Sequence, residues 1–135
     1  MTILFLIGAI IFGIIMLAAV TILSRKHHGK LDHDYFQKKW LELLTRVKTP
    51  EGMMLAIIDA DKLLDEALRK RGFRGKTLGE RLVAAQRSFS NNDTVWYAHK
   101  LRNRLVHEPN VRLKKGEAKN ALAGFKQGLI DLGAL

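Results

Sequence analysis

Cysteine is absent from this chain, which excludes disulfides and thiolate metal sites and suits a reducing compartment. Proline occurs only at 50 and 109, each where a helix would start or stop. Residues 1–24 hold no charged side chain; the first is Arg25. No segment alternates apolar and polar residues over a useful length, so no strands are predicted. Internal repeats, Ser/Gly linkers and low-complexity tracts are also missing. What remains is a 135-residue chain whose charged part has room for one modest core of four or five helices, and not for two cores.

The uncharged run from Thr2 to Leu23 reads TILFLIGAIIFGIIMLAAVTIL, 22 residues without charge or proline. As a helix at about 1.5 Å per residue it is roughly 33 Å long, which matches a hydrocarbon core of about 30 Å. A cleaved signal peptide would show a basic start, a shorter apolar stretch and a small-x-small cleavage site. Here no Lys or Arg precedes the run, and it ends Leu23-Ser24-Arg25. An uncleaved transmembrane helix over residues 1–24 is therefore expected, followed by a basic juxtamembrane linker over 25–31. Arg25, Lys26 and Lys30 lie on the C-terminal side only. The positive-inside rule then predicts a single-pass protein of the cell inner membrane, N-terminus out, with residues 32–135 in the cytoplasm. Ala9 and Gly13 form a small-xxx-small pair that would let two such helices approach closely.

His27-His28 with Asp32, His33 and Asp34 has the composition of a metal site. Adjacent histidines on a helix point about 100° apart, however, and cannot share one ion without a bend. No metal and no cofactor is expected. The net charge is +10; beyond the juxtamembrane cluster, residues 31–135 hold 20 basic against 13 acidic side chains, or +7. Such a domain favours polyanions.

Periodicity predicts an all-α bundle, up-and-down, in residues 32–135. A first helix from Asp32 to Val47 would bury Tyr35, Phe36, Trp40, Leu43, Leu44 and Val47. Thr49-Pro50-Glu51 opens the next, which runs to about Arg71 and stops at Gly72. Its stripe of Met53, Ile57, Ala60, Leu64, Ala67 and Leu68 is interrupted by Asp61, with Asp65 at the edge one turn later. A carboxylate in such a stripe needs a partner. Gly72-Phe73-Arg74-Gly75-Lys76 reads as a connector. Thr77-Leu78-Gly79-Glu80 is a capping box for a helix to about Phe89. Ser90-Asn91-Asn92-Asp93 then caps a helix from about Thr94 to Glu108, ended by Pro109. A last helix, Lys115 to Leu132, presents Ala118, Leu122, Phe125, Leu129 and Leu132 on one face.

The helix from Thr94 to Glu108 concentrates the chemistry. Val95, Ala98, Leu101, Leu105 and Val106 form its apolar stripe, and Arg102 projects within it. A guanidinium cannot be neutralised, so Arg102 is expected to pair with Asp61, which, with Asp65 at the edge, is the acid that intrudes on the facing stripe. Asn103 and His107, four residues apart, share another face with Trp96, and His99 lies at its margin. Trp96, His99, Lys100 and Arg104 are expected to form a binding surface beside Arg102, Asn103 and His107.

Arg102-Asn103-Arg104-Leu105-Val106-His107 resembles the Arg-polar-x3-His signature of HEPN domains, small helical bundles that include nucleases and nucleotide-binding modules. Residues 56–65, the Gly72-Phe73-Arg74-Gly75 turn and Trp96-Tyr97-Ala98-His99-Lys100 resemble a bacterial branch of that family, with the likeness covering about 34–132. The resemblance implies a homodimer in which the motifs of two subunits face each other across a cleft, and sometimes a nucleotidyltransferase-like antitoxin partner. It implies metal-independent cleavage of RNA in its active members. His107 would be general acid or base on a ribose 2′-hydroxyl, Arg102 would neutralise the phosphorane-like transition state, and Asn103 would orient phosphate or imidazole. Toxin-like members have a tyrosine two positions after the histidine, where this chain has Pro109. The expectation is accordingly a membrane-anchored, HEPN-like module that binds RNA, a nucleotide or a protein without catalysis. The alternative is a homodimeric endoribonuclease using Arg102, Asn103 and His107.

Overall fold

The computed structural model describes residues 1–24 and 29–135. Six α-helices account for most of them: α1 (Thr2–Ser24), α2 (His33–Leu44), α3 (Pro50–Lys70), α4 (Leu78–Ala85), α5 (Asn92–His107) and α6 (Lys115–Asp131). No strand occurs among the described residues. Within α1, Thr2–Ile22 has a mean hydropathy of 3.0 and none of its span is buried. Phe5, Phe12 and Leu17 are exposed like its other large side chains. It is thus long and apolar enough to cross a membrane, and it is not a core helix of the bundle. Arg25, Lys26 and the His27-His28 pair lie outside the described residues.

Local chemistry accounts for most of the helix starts. Asp32 accepts from the Tyr35 amide at 3.1 Å, Thr49 from Gly52 at 3.0 Å, and Asn91 from Thr94 at 3.2 Å. Each satisfies an amide left free in a first turn. At α4, Thr77 Oγ1 accepts from the Glu80 amide at 3.2 Å, while Glu80 reaches back to the Lys76 amide at 2.6 Å. Two ends differ from the periodicity. The helix expected to reach Val47 stops at Leu44, because the amides of residues 45–47 bond three residues back in a tight turn. The helix expected to reach Phe89 leaves α geometry at Ala85 and closes with a 3₁₀ turn over 86–88. Phe89 becomes extended there and its ring is buried.

α3 is the centre of the bundle, packing against α2, α4, α5 and α6, while α5 and α6 form the most extensive pair. The arrangement is therefore four longer helices with the short α4 laid on α3. Phe36, Ile57, Leu64, Leu68, Val95, Phe125 and Leu129 fill the core and are almost wholly buried. At about 25 cal/mol per Å² of apolar surface, side chains of this size each contribute roughly 1.5–3 kcal/mol. Gly124 sets the distance between α5 and α6: a Cβ there would lie 2.5 Å from the Thr94 carbonyl oxygen.

Candidate functional site

Asp61 is a central residue of α3 and only 3% exposed. Its carboxylate is met by two side chains of α5. His99 Nδ1 lies 2.8 Å from Asp61 Oδ1, and Arg102 Nε lies 3.1 Å from Asp61 Oδ2. The second contact is an ion pair without hydrogen-bond alignment, since Nε makes no hydrogen bond with any described residue. Asn103 completes the circuit. Its Nδ2 is 3.3 Å from His99 Nε2, and its Oδ1 accepts from Arg102 Nη1 at 3.0 Å.

Donor and acceptor roles around this ring are mutually consistent. A carboxylate only accepts, so His99 Nδ1 carries the proton given to Asp61. Nε2 is then the acceptor of the Asn103 amide N–H, and the amide oxygen is left for Arg102. His99, Arg102 and Asn103 sit at i, i+3 and i+4, which places all three on one side of α5. Trp96 lies edge-on to the His99 ring at 5.9 Å between centroids.

A second carboxylate group adjoins the first. Asp65, one turn along α3, accepts from Arg81 Nε at 2.6 Å and pairs with Arg69 Nη2 at 3.2 Å. It does not serve Arg102. Arg81 is itself buried and also donates to the Gly75 carbonyl. The pair fastens α4 and the Gly75 turn to α3.

Between α3, α5 and the first turn of α4 lies a cleft of about 530 Å³. His99, Arg102 and Asn103 line one side, and Thr77, Leu78 and Gly79 another. Five basic side chains face it, Lys62, Arg69, Lys76, Arg81 and Arg102, against two acids, Asp61 and Asp65. Both acids are already paired. Lys62 and Lys76 are exposed and enter no ion pair with a described residue. The cleft thus has an excess of positive charge over a floor of mutually paired polar side chains.

The residues expected on α5 divide between this cleft and other surfaces. Arg102, Asn103 and His99 line it; Trp96, Lys100, Arg104 and His107 do not. His107 is exposed near the end of α5. Arg104 turns to α6, where its Nη1 is 3.6 Å from Glu117 Oε1. Lys100 is exposed and Trp96 is half-buried against the core. Sequence reasoning missed Arg81, although the signal was there: Leu78, Arg81, Leu82 and Ala85 recur at i, i+3, i+4 and i+7, with a guanidinium inside an apolar stripe. No group of His, Asp and Glu among the described residues is arranged to hold a metal ion.

No family model, curated protein or solved structure matches the chain.

Proposed function

We propose that the chain is a membrane-anchored helical bundle, displayed on the cytoplasmic side, that binds a phosphate-bearing ligand of nucleotide or RNA type without catalysing its cleavage. The observation that carries this reading is the charge balance of the α3–α4–α5 cleft, five cations against two acids that are already paired. Lys62 and Lys76 would meet phosphate oxygens first. The ring below them holds Arg102 in place, so ordering that side chain costs the complex little. α1 supports the anchor, and the HEPN-like resemblance of α3 and α5 supports the ligand class.

The ribonuclease alternative draws less support. General acid–base chemistry with Arg102 needs both groups at one phosphate, within hydrogen-bond reach of the reacting atoms. Arg102 is engaged by Asp61 and Asn103, whereas His107 is exposed and outside the cleft. His99 does line the cleft, but its Nε2 accepts from Asn103 and its Nδ1 serves Asp61, so neither nitrogen is free to take a proton from a ligand.

The test uses the full chain in zwitterionic nanodiscs with a fluorescent single-stranded RNA and, separately, a fluorescent nucleoside triphosphate. Binding should weaken as salt rises; a single strand touching three or four cations gives a log–log slope of roughly −2 to −3. Lys62→Glu with Lys76→Glu should reduce affinity at least tenfold at low salt, and RNA incubated with EDTA should stay intact. Binding indifferent to both salt and the double substitution would remove the proposal.

A further inference from the structure

A second concavity lies away from the cleft, between the C-terminal half of α2, the start of α3 and the first part of α6. It measures about 440 Å³, and Trp40, Leu44, Val47, Met53 and Leu122 give it an apolar lining. Trp40 is only 4% exposed and forms the floor, while Leu44, Val47, Met53 and Leu122 are half-buried. Lys115, Lys119 and Lys126 stand along one rim, all exposed, and among the described residues no acidic side chain lines the groove.

The spacing of these lysines is informative. At about 100° per residue, positions 115, 119 and 126 fall within an arc of roughly 40° on α6. At about 1.5 Å per residue they extend over roughly 16 Å, three turns of helix. None of them pairs with an acid of this chain among the described residues. An apolar trough bordered by a straight row of cations is complementary to an amphipathic helix with an apolar stripe and acidic flanks. A single lipid headgroup is too small to meet three charges spread over that length. The groove also lies at the end of α2 away from the linker to α1, since Trp40 to Leu44 closes the helix that His33 opens.

We propose that this groove is a docking site for an acidic amphipathic helix of a partner protein, distinct from the anion-binding cleft. The partner's apolar i, i+3, i+4 and i+7 side chains pack over Trp40, Val47 and Leu122. Its flanking carboxylates face Lys115, Lys119 and Lys126.

The experiment pans a displayed library of helical peptides, about 16 residues long with leucines at the four apolar positions, against the full chain in zwitterionic nanodiscs. Flanking positions are randomised among Glu, Lys and Gln. Glutamate flanks should be enriched, and a selected peptide should bind about tenfold tighter than its lysine-flanked version, as three rim charge pairs allow. The triple variant Lys115→Glu, Lys119→Glu, Lys126→Glu alters only exposed positions, and its fold is checked by circular dichroism. It should select lysine flanks and still bind RNA in the salt-dependent manner of the wild-type chain. Three results would overturn the proposal: no enrichment, identical flanks selected by both proteins, or displacement of the peptide by phosphatidylglycerol added to the nanodiscs. The last outcome would make the occupant an anionic lipid.

Discussion

Asp61 shows how one side chain can be legible and its surroundings not. Its place in the α3 stripe marks it as a buried acid needing a partner, and Arg102 stands 3.1 Å away. His99 is the part the helical wheel left incomplete: expected at the margin of a binding face, it lines the cleft but is only 8% exposed, with its Nδ1 2.8 Å from the same carboxylate. A wheel treats each helix alone, and the position of His99 depends on how far α5 is rotated toward α3. Removing Asp61 would strand a guanidinium and an imidazole, so Asp61→Ala should cost about 3–5 kcal/mol in denaturant unfolding. Arg102→Ala should be costly as well, and the double variant should lose less than the sum of the two, because both act in one network. His107→Ala, by contrast, should stay within about 0.5 kcal/mol of wild type and leave RNA binding unchanged. A large loss of either would mean that His107 belongs to the site after all.

At the scale of elements, the joints are more telling than the helices. The end of α6 holds the start of α5: Asp131 accepts from both the backbone N–H and the hydroxyl of Ser90, each at 2.8 Å, and from Gln127 at 3.0 Å. Partial burial pushes the Asp131 carboxyl upward, but the Ser90 and Gln127 bonds outweigh it and hold the group below its ordinary value of 3.8. Its stabilising effect is therefore complete above the unfolded value and disappears as pH falls through the lower folded one. Asp131→Asn should destabilise the bundle at neutral pH, with the gap from wild type closing under acid, as measured by urea midpoints across pH. Gly124 is the second joint. Gly124→Ala would place a methyl group 2.5 Å from the Thr94 carbonyl, forcing α5 and α6 apart at a cost of about 1–3 kcal/mol. Thermal unfolding reads that loss, and a neutral result would show that the two helices can slide. The glycine identity was plain in the sequence, but a glycine inside a helix pattern does not disclose what approaches it.

The whole molecule joins a helix long and apolar enough to cross a membrane to a helical bundle with its own core. α1 exposes its apolar side chains along its length, whereas α2–α6 enclose theirs around α3. The chain should partition with membranes and resist alkaline carbonate extraction, while a version beginning at residue 25 should not sediment with them. Recovery of the full chain in the carbonate supernatant would count against the anchor. On the bundle, the excess of positive charge is not spread evenly. Five cations face the cleft and three border the apolar groove, so the two surfaces should respond separately to the Lys62/Lys76 and Lys115/Lys119/Lys126 substitutions.

What the sequence alone determined is what depends on neighbours along the chain: the apolar length of α1, the caps at Thr49 and Thr77, the stop at Gly72 with its φ of 85°, and the apolar stripes. These follow from backbone hydrogen bonding and from periodicity, both local. What only the tertiary structure decided is which polar groups share space. Arg102, read as the partner of Asp61, meets it, but His99 shares the same carboxylate, and Asp65 goes to Arg81 of α4, a helix whose start is legible in the sequence while its buried arginine's partner is not. Asn103, read on an outward face with His107, instead joins His99 and Arg102 in the partly buried ring, while His107 stays exposed outside the cleft. The reason is physical: a buried charge takes whichever partner the packing of α3, α4 and α5 brings within about 3–4 Å, and that distance is set by the core, not by spacing along the chain.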